Sequence, residues 1–80
     1  MKTNNNYDFY WSEAKRSLVA RGTAICVECL GEQCWHAFRC VGTYPCLDFI
    51  GTDAEGTSPN RAVNNLLRKE AYERRNKKSF

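Results

Sequence analysis

Two alternating stretches, "TAICVECL" from Thr23 to Leu30 and "QCWHAFRCV" from Gln33 to Val41, constrain the fold more than any other feature of the chain. Alternation at every second residue sends side chains to opposite faces of an extended strand, and the Gly31-Glu32 step between the two runs predicts a tight hairpin. A second turn, Gly42 to Pro45, leads into "CLDFIGTD", where Leu47 and Phe49 alternate with Asp48 as in a third strand with one buried face. The centre of the chain is therefore expected to be an antiparallel meander.

The flanks read as helices. Asp8 is a plausible N-cap, the Trp11, Ala14, Leu18 spacing of three and four lines up one helical face, and Gly22 would close that helix after Arg21. At the other end Ser58-Pro59 supplies a cap and a first-turn proline, and Ala62, Val63, Leu66, Leu67 and Ala71 form one apolar stripe to about Arg74. The expected fold class is α+β, an α-β-β-β-α two-layer sandwich. It has a three-stranded antiparallel sheet with two helices on one face and the opposite face exposed. Eighty residues make one domain, 1–80, with an ordered core of about 8–74 and a basic C-terminal tail, 75–80.

Apolar runs are short and the first six residues are polar, so neither a signal peptide nor a membrane span is expected and the chain is placed in the cytoplasm. Five cysteines, at 26, 29, 34, 40 and 46, are then expected to be free thiols packing as small hydrophobes. Charge is uneven. Met1 to Arg21 carries +2, Gly22 to Ser58 carries −4, and Pro59 to Phe80 carries +5. The strands are acidic and the helical layer is basic, so a polyanion should meet the helices and a basic surface should meet the strands.

Cys26-Val-Glu-Cys29, with Cys34, His36 and Cys40 nearby, offers enough soft ligands for tetrahedral zinc. The strand pattern points Cys26 and Cys29 to opposite faces, however, and there is no second Cys-x-x-Cys pair, so no metal is assigned. Cys34 and His36 share a strand face, which could favour a thiolate, but no third orienting group follows from the spacing. Glu28, Glu32, Asp48, Asp53 and Glu55 are scattered as solvated positions are, and no phosphate-loop or dinucleotide fingerprint is present. The chain reads as a non-enzyme with no cofactor.

The segment order, with "GEQCWHAF" at the first hairpin and "AEGTSPNRAVNNLLRKEA" entering the last helix, resembles a double-stranded RNA-binding domain over about Asp8 to Glu73. Gly31, Cys34 and Phe38 stand at matching hairpin positions, with Cys34 in place of that family's histidine and Glu32 in place of its proline. Gly56, Ser58 and Ala62 match the entry to the last helix. Pro59, Asn60 and Val63 occupy the places of the family's phosphate-binding lysines, so the resemblance implies the fold without its duplex-RNA contacts.

In size and in lack of catalytic motifs the chain also looks like small accessory proteins of phages and mobile elements, such as anti-CRISPR proteins. That likeness implies a stoichiometric inhibitor of a host nucleic-acid-processing or defence complex. The acidic sheet and hairpin, Glu28, Glu32, Trp35, Asp48, Asp53 and Glu55, would face a basic partner surface. Alternatively a basic and aromatic set would contact nucleic acid or an acidic partner: Tyr10, Trp11, Lys15, Arg16, Arg68, Arg74, Arg75, Lys77 and Lys78. The expected partners are a host protein or nucleoprotein complex, with nucleic acid and a second copy of the chain as further options, and no membrane.

Overall fold

The structure, a computed structural model, describes residues 6–77, with side chains as far as residue 75. Among these residues five strands precede one helix: β1 (Phe9–Ser12), β2 (Ser17–Ala20), β3 (Ile25–Gly31), β4 (Cys34–Thr43), β5 (Cys46–Gly56) and α1 (Pro59–Lys77). The strands form one antiparallel meander in sequence order. The expected three-stranded sheet with two helices is thus corrected to a five-stranded sheet with one helix.

The error lies wholly in residues 8–21. Trp11 and Leu18, seven apart and read as one helical face, are instead directly opposite each other across the β1–β2 hairpin. A hairpin with a four-residue turn places residues seven apart in register as surely as two helical turns stack them. Two local features favour the hairpin. Phe9, Tyr10 and Trp11 are aromatic and suit an extended strand, and Arg16 adopts φ 55 in the left-handed region, which lets its N–H reach the Ser12 carbonyl at 2.7 Å. The α-β-β-β-α order on which the family resemblance drew is therefore not formed.

The helix begins as its sequence indicates. Ser58 Oγ accepts the Arg61 N–H at 3.2 Å, its carbonyl accepts the Ala62 N–H, and Pro59 fills the first helical position where no donor is needed. Gly56 is required by proximity, because a Cβ there would stand 2.6 Å from the Ala62 backbone nitrogen. Ala62, Val63 and Leu66 are fully buried against Ile25, Val27, Ala37 and Ala54, and this is the main core. Asn65 Nδ2 donates to the Glu55 carbonyl and Lys69 Nζ to the Asp53 carbonyl, so α1 also caps the outer edge of β5. Arg39 and Glu70 close the far end of this layer through a bidentate pair at 2.5 and 3.0 Å.

The opposite face is not left flat. β2 pairs with β3 only at Leu18↔Val27 and Val19↔Cys26, and beyond that point the β1–β2 turn leaves the sheet. It crosses to the β4–β5 hairpin, where the Tyr44 N–H donates to the Ala14 carbonyl at 2.7 Å. Lys15 Nζ donates to the carbonyls of Cys40 and Gly42 at 3.1 and 3.3 Å. The first hairpin thereby reaches past β3, and the sheet rolls over a second small core of Val19, Cys26, Phe38 and Cys40.

Candidate functional site

Strand alternation divides the chemistry between the two faces. On β4, Trp35, Ala37 and Arg39 turn toward α1, and His36, Phe38 and Cys40 turn toward the rolled face. His36 lies opposite Glu28 on β3 and Glu55 on β5. Its Nδ1 meets Glu28 Oε2 at 2.9 Å and its Nε2 meets Asp53 Oδ2 at 2.5 Å. One imidazole therefore ties three strands together. Only the imidazolium can donate from both nitrogens at once, so this arrangement selects the charged form. Burial alone would lower the His36 pKa, but the hydrogen bonds to Asp53 and Glu28, with their charges, outweigh it and leave it raised above 6.5. Asp53 is held below its ordinary value first by the hydrogen bond from His36, with the charges of His36 and Lys69 adding to it.

The ring of His36 stacks on Phe38 at 5.2 Å between centroids, and Phe38 meets the edge of Phe49 at 5.1 Å. Phe49 is 72% exposed, the largest exposure among the big apolar side chains of the described residues. A groove of about 390 Å³ opens beside this aromatic row, where the rolled hairpin parts from β3, and Trp11, Trp35, Phe38, Tyr44 and Phe49 form its apolar walls. Arg16 and Glu28 stand at its polar margins, and the Arg16 guanidinium lies 5.3 Å over the Tyr44 ring.

The residues expected to bind a basic partner are brought together only in part. Glu28, Asp53 and Glu55 gather around His36, whereas Glu32 stands at the β3–β4 turn. Asp48 pairs with Val41 near the β4–β5 hairpin, on the opposite strand face from Leu47 and Phe49. Trp35 packs against the main core and reaches the groove only as a wall.

The basic and aromatic set disperses further. Lys15 is committed to the hairpin carbonyls, Arg16 lies over the Tyr44 ring, and Tyr10 has the Arg21 guanidinium over it at 4.8 Å. Trp11 stays half exposed at the groove. Arg68 bonds Asn65 at 3.4 Å, and Arg74 and Arg75 are exposed near the end of α1. Lys77 lies in α1 with its side chain outside the described residues, as is the whole of Lys78.

The three positions that match the resembling family's lysines have other tasks. Pro59 starts α1, Val63 is fully buried, and the Asn60 side chain accepts the Tyr7 N–H at 2.9 Å and so straps the N-terminal segment to the helix. The roles of His36, Tyr44 and the Arg39–Glu70 pair were not read from the sequence. His36 was accessible only as a strand residue, since uninterrupted pairing from the Glu32-Gln33 turn would set Cys29 opposite it and the bulge between Cys29 and Gly31 sets Glu28 there instead. Tyr44 was not, because its place follows from the roll.

The thiols divide in the same way. Cys26 and Cys40 are buried with their sulfurs 3.7 Å apart, and burial, followed by the hydrogen bond with Cys40, pushes the Cys26 thiol up to about 11. Cys29 and Cys46 are exposed. Among the described residues no group of three or more His, Cys, Asp or Glu side chains is arranged to hold a metal ion. Among the same residues no helix is long and apolar enough to cross a membrane. No family model, curated protein or solved structure matches this chain.

Proposed function

We propose that the chain is a non-enzymatic binding protein that blocks a host nucleic-acid-processing or defence complex by stoichiometric attachment, as anti-CRISPR proteins of phages do. The observation that carries the reading is the clamp of Glu28 and Asp53 on His36, with Glu55 beside it. Two carboxylates are thereby held at fixed spacing on the sheet, and Glu55 stands at the register position directly across from His36. Residues 22–58 contain one lysine or arginine, Arg39, which faces α1 and is bonded to Glu70, and the charge of His36 is offset by the two carboxylates that hold it. A preorganised acidic surface of this kind attaches to a basic groove without losing side-chain freedom, and it competes there with a phosphate backbone.

Two further points support a binding role over catalysis. Both ring nitrogens of His36 are occupied by carboxylates, so the imidazole is not available to activate Cys34. The exposed aromatics Phe49, Tyr44 and Trp11 next to the acidic strip supply the kind of side chain that anchors interfaces. The free thiols fit a reducing, cytoplasmic setting.

The competing reading is direct nucleic-acid binding through Arg68, Arg74 and Arg75, and the exposure of the last two on α1 favours it. Mobility-shift titrations with duplex RNA, duplex DNA and single strands at low and high salt separate the two. The inhibitor reading expects weak binding throughout. Tight binding that weakens steeply with salt and is lost on Arg74→Glu with Arg75→Glu would replace it with the nucleic-acid reading.

A further inference from the structure

The aromatic groove carries chemistry that the acidic strip does not explain. Its walls are apolar, and three of its large side chains, Trp11, Tyr44 and Phe49, remain 52%, 58% and 72% exposed. Uncovered aromatic surface converging on a concave site is the usual form of a small-molecule pocket, and about 390 Å³ lies at the lower end of the range for such sites. The volume suits a fused pair of rings and excludes a folded element of a partner.

The polar groups at its margin differ in how far they are already used. Lys15 places its ammonium against two carbonyls and the Cys40 sulfur, so its donors are spent on holding the roll closed. Glu28 is bonded to His36. Arg16 stands over Tyr44 with no carboxylate partner among the described residues, and its position depends on a left-handed backbone that a non-glycine residue adopts at a cost. A strained backbone thus holds an unpaired guanidinium at the mouth of an aromatic slot.

From this juxtaposition we propose that the groove is a binding site for a flat aromatic molecule carrying one anionic group, with the rings between the aromatic walls and the anion on Arg16. The guanidinium offers a fork of N–H donors suited to a carboxylate or sulfonate, and it lies over Tyr44 in the lining of the groove. Lys15 adds a second positive charge nearby, which outweighs the single carboxylate of Glu28 already shared with His36. A neutral ligand would gain from the walls alone, and a cationic one would meet Arg16.

The site is tested with two probes of similar ring area, anilinonaphthalene sulfonate and the uncharged N-phenylnaphthylamine, followed by fluorescence against the wild-type chain. The sulfonate is expected to saturate at one per chain and to bind more tightly than the neutral probe. Arg16→Asn keeps a residue that tolerates the left-handed backbone and removes the charge. It should weaken the sulfonate about tenfold and leave the neutral probe unchanged. Phe49→Ser should weaken both. Shifts of the Trp35 indole proton on titration place the probe in the groove. The proposal is overturned if the sulfonate shows no saturable site, if Arg16→Asn leaves its affinity intact, or if that variant weakens both probes equally. None of these outcomes bears on the acidic strip, so the two readings stand or fall separately.

Discussion

The two faces of the sheet bury comparable strands in different ways. The face under α1 is closed by interlocking aliphatic side chains, with Ile25, Val27, Val63 and Leu66 at 0 or 1% exposure and the glycine at 56 permitting backbone contact. The rolled face is closed by a few polar ties, the Tyr44–Ala14 bond and the Lys15 ammonium, over a core of two cysteines, a valine and a phenylalanine. Apolar burial scales with area and has no direction, whereas the polar ties fix geometry at little net gain. The first face accounts for most of the stability, and the second holds its side chains in fixed positions at the surface.

The largest effect that separates the faces is expected from Leu66→Ala, which leaves a cavity in the closed layer and should cost about 2–5 kcal/mol in urea denaturation. Phe49→Ser on the rolled face should stay within about 0.5 kcal/mol of wild type in the same experiment, since most of that ring is already in water. Equal losses at the two positions would remove the distinction. Gly56→Ala comes next, at about 1–3 kcal/mol, because the new methyl meets helix backbone and α1 must shift.

Lys15→Met tests the roll itself. It should cost about 1 kcal/mol and, more tellingly, speed hydrogen exchange at the Tyr44 amide while leaving amides of β3 and β4 protected. The smallest effect concerns protons. Because the folded His36 pKa is raised above 6.5, its contribution to stability is complete below that value and is lost as pH rises through the folded pKa. Asp53 has a lowered pKa, so its share is present above about 3.8 and is lost as pH falls through the folded value. A stability profile should therefore hold a plateau between these limits and decline at both ends, and His36→Gln should flatten the upper decline. Thiol labelling adds a chemical measure of the same contrast, with Cys29 and Cys46 reacting first and Cys26 and Cys40 protected until unfolding.

Much of the closed layer was legible in the sequence, and little of the rolled face was. The β3–β4 hairpin, the strand through Leu47 and Phe49, and the Ser58-Pro59 start of α1 follow from alternation, a two-residue turn and a capping pair, all of which are local. The first hairpin was misread because Trp11 and Leu18 satisfy a helical period and a cross-strand register equally well. Sequence spacing does not separate those cases when the turn has no glycine, and here Arg16 takes the left-handed position instead. With that hairpin went the roll, and with the roll went the groove, since Trp11, Tyr44 and Phe49 converge only through contacts distant in the chain. The acidic residues were visible in the sequence as a set, but their division into a clamp around His36 and outliers at Glu32 and Asp48 required the register.

The account rests on the claim that the acidic strip, and not the basic end of α1, makes the partner contact. The most direct test is affinity capture from the native cell with three tagged forms: wild type, Glu28→Lys with Glu55→Lys, and Arg74→Glu with Arg75→Glu. Tryptophan fluorescence confirms that each is folded. The account predicts that the protein species retained by wild type are lost from the acidic-strip variant and kept by the helix variant. Retention by the acidic-strip variant with loss from the helix variant would contradict it.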